Sequence, residues 1–240
     1  MSEAAKNCKI CGAIAKVAFR IPSAKLTGQP IPDAADDCAY FECSKCQFLF
    51  TDIHDADDHA GLYDDKYWEG QDPDWSGRVN QTLRLVLLAN TLINKPPWEL
   101  KILDFGCGMG TFVSAAREQL QMQTWGTDII MPKFGREWFL PRVQRERFDI
   151  IVACEVVEHL PHPLTSMKEV RGYLDRGGVF AFQTAYYDPK TCGRDWWYIG
   201  PANGHVSLYS ARSFEIIAST LGVKDRRLWN NYPGLQAWRF

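Results

Sequence analysis

Residues 100–110 read LKILDFGCGMG, an apolar run that passes directly into alternating glycines. The apolar run ends at Phe105 and predicts a buried parallel strand, and the residues from Thr111 to about Leu120 predict a helix. Glycines at such a junction permit positive φ angles, and the N-terminus of the helix offers free N–H groups. These residues therefore predict a strand, a turn and a helix that bind a nucleotide-containing ligand.

A second strand, residues 124–128 (TWGTD), ends in Asp128. This carboxylate lies roughly 20 residues beyond the glycine turn, a placement that suits hydrogen bonds to two ribose hydroxyls. Asp104 lies at the end of the first strand, where an acidic group would repel a pyrophosphate but can bind an ammonium group. Dinucleotide sites use the spacing G-x-G-x-x-G, whereas this turn has Gly106, Gly108 and Gly110. The electrostatics favour S-adenosylmethionine (SAM) over a nicotinamide dinucleotide.

Three segments carry a family resemblance. Residues 103–110 resemble the signature motif of class I SAM-dependent methyltransferases. Residues 148–160 (FDIIVACEVVEHL) resemble the fourth strand of that family and the loop after it, and residues 174–182 (LDRGGVFAF) resemble its turn and fifth strand. The resemblance covers residues 75–240 and implies an α/β fold with a Rossmann-like, seven-stranded mixed sheet.

The resemblance also implies which residues hold SAM. Asp128 would bind the ribose hydroxyls, and Ile129 would pack on the adenine. Glu155 and Val156, after the fourth strand, would close over the cofactor. The methionine and ribose portions would lie against the turn residues Asp104, Gly106, Cys107 and Gly108.

One segment departs from the family pattern. Members of the family have a helix and a third strand between the positions that correspond to Asp128 and Phe148, but this chain has only about twenty residues there, including Pro132, Gly135 and Pro141. A full helix, strand and helix cannot fit into that length. We therefore expect an abbreviated third-strand region, where recognition of the adenine differs from the family pattern.

The N-terminal segment contains two C-x-x-C pairs, Cys8/Cys11 and Cys43/Cys46. Each pair can direct two thiolates at one ion from a tight turn, and two pairs complete a tetrahedral zinc site. Four thiolates leave no open position for water, so the Zn²⁺ would be structural. The alternative is four unrelated buried cysteines. We predict a zinc-ribbon-like domain over residues 1–60.

Residues 61–98 are predicted to form an aromatic linker and a lead-in helix, and residues 99–240 the SAM-binding domain. Tyr67 in the linker either lines the mouth of the cofactor pocket or packs the small domain onto the large one. Both interpretations are compatible with the dense aromatic content of this segment.

The C-terminal third supplies the catalytic candidates. Residues 203–210 (NGHVSLYS) resemble a segment of methyltransferases that carry an N-terminal zinc-binding domain, including sugar C-methyltransferases. His205 is a candidate general base, since imidazole titrates near neutral pH, or it holds its loop by hydrogen bonds. Tyr186 is a second catalytic candidate. For Glu158 and His159, the simplest interpretation is that they cap the helix that follows.

Charge and composition narrow the function classes. The chain has 27 basic and 29 acidic residues, so a basic stripe for nucleic acid is not expected. No apolar run approaches the roughly 20 residues of a transmembrane helix, and residues 1–9 lack the apolar core of a signal peptide. We therefore expect a cytoplasmic enzyme that methylates a small-molecule acceptor, such as a sugar or nucleotide sugar. The alternatives are an RNA methyltransferase and a non-catalytic binding protein with a SAM fold.

Overall fold

The computed structural model describes residues 5–55 and 75–240 of the chain. Its residues divide into two compact units. The first, called the cysteine unit, comprises Met1–Leu62, Val157–Ser166 and Ala185–Thr220. The second, called the glycine-turn unit, comprises Tyr63–Val156, Met167–Thr184 and Leu221–Phe240.

The strands of the described residues, in chain order, are β1 (Ala5–Asn7), β2 (Ile14–Ile21), β3 (Cys38–Cys43), β4 (Leu49–Phe50), β5 (Lys101–Phe105), β6 (Gln123–Thr127), β7 (Phe148–Cys154), β8 (Leu174–Gln183), β9 (Ser207–Leu208), β10 (Asp225–Trp229) and β11 (Tyr232–Arg239). The α-helices are α1 (Trp75–Ile93), α2 (Thr111–Glu118), α3 (Pro163–Gly172) and α4 (Ala211–Leu221). None of the helices within the described ranges has the length and apolarity needed to cross a bilayer.

The glycine-turn unit is built on a mixed sheet with the strand order β10-β11-β8-β7-β5-β6. The strands β6, β5, β7 and β8 run parallel, and β11 and β10 add an antiparallel edge. Helix α1 packs its apolar residues against this sheet, because strands buried on both faces need helices to cover them. The core includes Leu85, Ala89, Ile102, Ile150 and Ala181. This arrangement confirms the predicted α/β fold with a mixed sheet.

The sheet of the glycine-turn unit has six strands among the described residues, where the family resemblance implies seven. The third strand is replaced by a short return of the chain after Asp128. Phe139 forms an isolated parallel bridge with Gly126 at the free edge of β6, and the N–H of Leu140 donates to the carbonyl of Gly126 at 2.8 Å. The segment contains Pro132 and Pro141, which interrupt regular strand pairing, so it forms a single bridge instead of a full strand. The expected abbreviated third-strand region is thus present as one bridge.

The cysteine unit contains an antiparallel sheet with the strand order β1-β2-β3-β4-β9. Its last strand comes from far along the chain, where Leu208 pairs with Leu49 and Ser207 with Phe50. The core of this unit likewise combines distant segments, with Tyr40 and Leu49 packed beside Tyr198, Ile199 and Leu208. The unit is therefore larger than residues 1–60 and discontinuous in sequence, since β9 supplies the hydrogen bonds that the edge of β4 needs.

Candidate functional site

The glycine turn after β5 has the backbone conformation that its sequence predicts. Gly106 has φ +75°, and a Cβ atom built at this position would lie 2.6 Å from Cγ2 of Val156. Gly110 has φ +78°, and a Cβ atom there would clash with the carbonyl oxygen of Phe134. Both the positive φ angles and the close neighbours require glycine. The turn therefore packs directly against Val156 and the backbone of Phe134, which a side chain at either glycine would prevent.

Asp104 is a buried carboxylate at this turn, with only 5% of its surface exposed. Burial in the protein interior, with repulsion from Asp128, raises the pKa of Asp104 to about 7. A carboxyl group in this condition is neutral or charged near physiological pH according to what lies beside it. A cationic ligand group would favour the charged form.

Asp128 is held by backbone amides at the end of β6. Its Oδ2 accepts the N–H of Gly108 at 2.8 Å, and its Oδ1 accepts the N–H of Ile130 at 3.3 Å. Burial raises the pKa of Asp128, and these amide hydrogen bonds oppose that effect. The carboxylate is thus fixed in position next to the glycine turn.

The loop after β7 supplies the other predicted cofactor residues. Glu155 has φ +55°, its N–H donates to the carbonyl of Gln183, and its Oε1 accepts the side-chain amide of Gln183 at 3.1 Å. Val156 lies directly against the turn at Gly106. Because β5, β6 and β7 are parallel neighbours, these residues and the two aspartates meet at one edge of the sheet.

Two of the predicted cofactor residues, Cys107 and Ile129, differ in how far they are exposed to solvent. Cys107 is buried, which raises the pKa of its thiol, and its Sγ would lie 2.8 Å from a Cβ atom on Gly126, so it also fills space between the turn and β6. Ile129 is 61% exposed. Met131 and Phe134 are likewise exposed apolar side chains, and sequence reasoning missed both because their segment has no regular periodicity. Tyr67 lies outside the described residues.

The four predicted zinc ligands Cys8, Cys11, Cys43 and Cys46 form one cluster, whose sulfur atoms all lie within 4.8 Å of one another. The Sγ atoms of Cys8 and Cys46 are 3.5 Å apart, and those of Cys11 and Cys43 are 3.4 Å apart. Zn–S bonds of about 2.3 Å in a tetrahedron place sulfur atoms about 3.8 Å apart. The cluster therefore has the donor set and the size that a zinc ion requires.

Backbone amides support the cysteine cluster. The N–H of Ile10 donates to Sγ of Cys8 at 3.4 Å, and the N–H of Cys46 donates to Sγ of Cys43 at 3.5 Å. The contact between the two sulfur atoms lowers the pKa of Cys8 to about 5 and, together with burial, raises the pKa of Cys46. Such N–H···S contacts stabilise thiolates, the form that binds metal.

The two catalytic candidates both lie in the cysteine unit. His205 is 7% exposed, and its Nδ1 donates to the carbonyl of Tyr198 at 2.8 Å. Burial lowers the pKa of His205 well below its usual value, and the neighbouring His159 contributes. Tyr186 is partly buried and forms an isolated parallel bridge with Tyr209.

The structure also brings two residues to His205 that sequence reasoning did not connect with it, Glu158 and His159. They lie in the short 3₁₀ helix Val157–His159. Helix α3 begins only at Pro163, so neither residue caps it, contrary to the sequence interpretation. The adjacent Glu-His pair was the available signal, but the position of His205 depends on long-range contacts.

Comparison with known proteins identifies the class. The sequence matches the model of a methyltransferase domain over residues 67–227. The chain belongs to this methyltransferase family, and the predicted membership is confirmed.

Two curated relatives are ubiquinone biosynthesis O-methyltransferases. The one from Histophilus somni is 30% identical over an alignment of 107 positions, which covers 36% of this chain and 45% of the relative. The one from Cereibacter sphaeroides is 31% identical over 113 positions, which cover 40% of this chain and 45% of the relative. The chain thus spans about half the length of the curated relatives it matches.

A solved structure shows the same fold. The 1,6-didemethyltoxoflavin-N1-methyltransferase of Burkholderia thailandensis, determined with 1,6-didemethyltoxoflavin and S-adenosylhomocysteine bound, superposes with a TM-score of 0.55 at 13% identity. The superposition covers 88% of this chain and 98% of that one. At this identity the likeness concerns the fold.

Proposed function

We propose that this protein transfers the methyl group of SAM to a small-molecule acceptor. The observation that carries the proposal is a pair of carboxylates at the ends of neighbouring parallel strands, the buried Asp104 and the partly buried Asp128, beside a turn that requires glycine. Two carboxylates in these positions can bind a cationic group and the hydroxyls of a ribose, whereas they would repel a pyrophosphate. The chain's family membership supports the same conclusion.

The residues present fit SAM. Asp104 would bind the ammonium group of its methionine portion, and Asp128 the ribose hydroxyls. Gly106, Gly108 and Cys107 would line the turn, and Glu155 and Val156 would cover it from β7. When bound, SAM supplies an electrophilic methyl group on a sulfonium centre. The protein contributes chiefly by holding the acceptor in line with that methyl group.

The adenine would be held differently from the usual family pattern. We propose that Ile129 packs on the ring and that the neighbouring exposed side chains Met131 and Phe134 extend this apolar surface. Tyr67, outside the described residues, stays a proposed cofactor contact.

For the acceptor, we propose a small molecule that presents an oxygen, nitrogen or carbon nucleophile, with a sugar or nucleotide sugar as one candidate. The curated relatives are named for O-methylation in ubiquinone biosynthesis, and the solved relative binds 1,6-didemethyltoxoflavin, which supports a small acceptor. The near-equal numbers of basic and acidic residues argue against nucleic acid. His205 and Tyr186 are the proposed groups that accept the acceptor's proton.

We further propose that the four-cysteine cluster binds a structural Zn²⁺. Four thiolates would fill its coordination shell, so the metal would stabilise the fold of the cysteine unit. Thiols in this state belong in a reducing compartment, which supports the cytoplasm.

Calorimetric titration with SAM and with S-adenosylhomocysteine tests the proposed function. We expect micromolar binding of both ligands, weakened tenfold or more by Asp128→Ala. The control is Asp175→Ala, which removes an exposed carboxylate on β8 and should leave both affinities unchanged. Absence of binding by the wild-type protein, or equal loss in both variants, would contradict the assignment.

A further inference from the structure

Three potential metal ligands in the cysteine unit form a second group, separate from the four cysteines. They are Glu158, His159 and His205, and their ligand atoms all lie within 4.8 Å of one another. Glu158 is fully buried, His205 is nearly so, and His159 is partly buried. None of the three is a proposed contact of SAM, and only His205 has a proposed role in methyl transfer, as one of two candidate proton acceptors.

Hydrogen bonds fix the backbone on both sides of this cluster. The N–H of Val206 donates to the carbonyl of Glu158 at 3.0 Å, and Oγ of Ser207 donates to the carbonyl of Leu160 at 2.6 Å. The hydroxyl of Tyr209 donates to the carbonyl of Val157 at 2.7 Å. The segment that carries Glu158 and His159 is therefore bound, residue by residue, to the segment that carries His205.

The side chains are oriented as metal ligands usually are. His205 donates its Nδ1 hydrogen to a backbone carbonyl, that of Tyr198, which fixes the ring and the tautomer with Nε2 as the free lone pair. The hydroxyl of Tyr198 donates to Oε1 of Glu158 at 2.6 Å, and Nε2 of His159 lies 3.8 Å from the same oxygen. The rings of His159 and His205 meet edge to face with centroids 4.8 Å apart.

We propose that Glu158, His159 and His205 bind one divalent transition-metal ion, in addition to any ion held by the cysteines. Two imidazoles and one carboxylate suit Zn²⁺, Mn²⁺, Fe²⁺ or Co²⁺, and disfavour Ca²⁺ and Mg²⁺, which prefer oxygen ligands. Three protein ligands leave at least one coordination position for water or for an oxygen of a bound molecule.

This site and a general-base role of His205 exclude each other. A metal ion on Nε2 of His205 occupies the lone pair that would accept a proton, while Nδ1 is already committed to Tyr198. An open metal position would instead bind an acceptor oxygen directly and lower its pKa. The inference goes beyond the proposed function, because metal binding is measured without SAM.

The test is the zinc content of the protein after equilibrium dialysis against micromolar Zn²⁺, measured by mass spectrometry of the metal. We expect about two zinc ions per wild-type chain and about one in His159→Gln. The matched control is His162→Gln, an exposed histidine outside the cluster, which should keep about two. One zinc ion in all three proteins would overturn the proposal. Circular dichroism checks that each variant is folded.

Glu158→Gln provides a second measurement, because the amide oxygen can still accept the hydrogen bond from Tyr198 while the charge is lost. We expect the affinity of the second zinc ion, measured calorimetrically, to fall tenfold or more while SAM binding is retained. Equal zinc affinity in the variant and the wild type would refute the site. If the wild-type protein does not bind SAM at all, that result would refute the proposed function but not the metal site.

Discussion

Asp104 shows how one buried residue links the cofactor site to stability. Its pKa is raised to about 7 because the carboxylate is buried and lies near Asp128. Between its unfolded value near 3.8 and about 7, the folded protein retains a proton that the unfolded chain has released. The contribution of Asp104 to stability is therefore fully present below its unfolded pKa and is lost as pH rises through about 7.

The same residue predicts how SAM binding depends on pH. If Asp104 binds the ammonium group of SAM, as proposed above, only the ionised carboxylate attracts it, so affinity should rise by up to about tenfold between pH 6 and pH 8. Calorimetry at the two pH values measures this rise. In Asp104→Asn we expect weaker binding at pH 8 and a much smaller pH dependence. An equal rise in the variant and the wild type would assign the effect to another group.

At the scale of elements, Ser210 joins helix α4 to the cysteine cluster. Its Oγ accepts the N–H of Ser213 at 3.1 Å, which caps the helix, and donates to the carbonyl of Cys46 at 2.7 Å. One hydroxyl thus serves both the first turn of α4 and the second cysteine turn. The serine is buried, so no water replaces a lost partner.

Ser210→Ala should therefore lower the free energy of unfolding by about 2 kcal/mol, the sum of a lost cap and a lost buried hydrogen bond. Urea denaturation measures the loss. Thr220→Ala is the matched control, because this hydroxyl lies on the exposed side of the same helix and donates only to the carbonyl of Ile216. A similar loss in both variants would show that the contact with Cys46 contributes little.

Sequence reasoning recovered those elements whose pattern is local. The strands β5, β7 and β8 each contain a run of buried, mostly apolar residues (102–104, 150–154 and 179–182), and such a run is visible within a single segment of sequence. The two-residue strand β9 has no pattern of its own, and only its pairing with Leu49 defines it. The bridge of Phe139 to Gly126 is equally invisible, since it is a single contact at a sheet edge.

At the scale of the whole molecule, the two compact units have separate apolar cores. The cysteines and the glycine turn were predictable because their ligand chemistry requires short, fixed spacings, as in Cys8-x-x-Cys11. The discontinuity of the cysteine unit was not predictable from the sequence. It depends on contacts of Tyr40 and Leu49 with Leu208, which lies far along the chain. For the same reason the approach of Glu158 to His205 could not be predicted, since the adjacent Glu158 and His159 gave no indication of their distant partner.

This organisation predicts where metal removal acts. If the four cysteines hold zinc, a chelator should increase amide hydrogen exchange in β2, β3 and also β9, because β9 is the edge strand of the same sheet. The strands β5, β7 and β8 serve as the internal reference. Hydrogen exchange with mass spectrometry resolves these segments.

Cys43→Ser should reproduce the effect of the chelator, and Cys192→Ser, which removes a thiol outside the cluster, should not. Continued protection of β9 after β2 and β3 have lost theirs would contradict the dependence of the late strand on the cysteine cluster.

The pairing of β9 with β4 has a consequence for synthesis on the ribosome. The cysteines are translated first, yet the strand that completes their sheet is translated only when Leu208 emerges. Until then the nascent chain carries an open sheet edge next to reactive thiols. Early zinc capture would protect the thiols and a chaperone the open edge, and a gene fragment ending near residue 60 would encode a sheet that lacks its final strand.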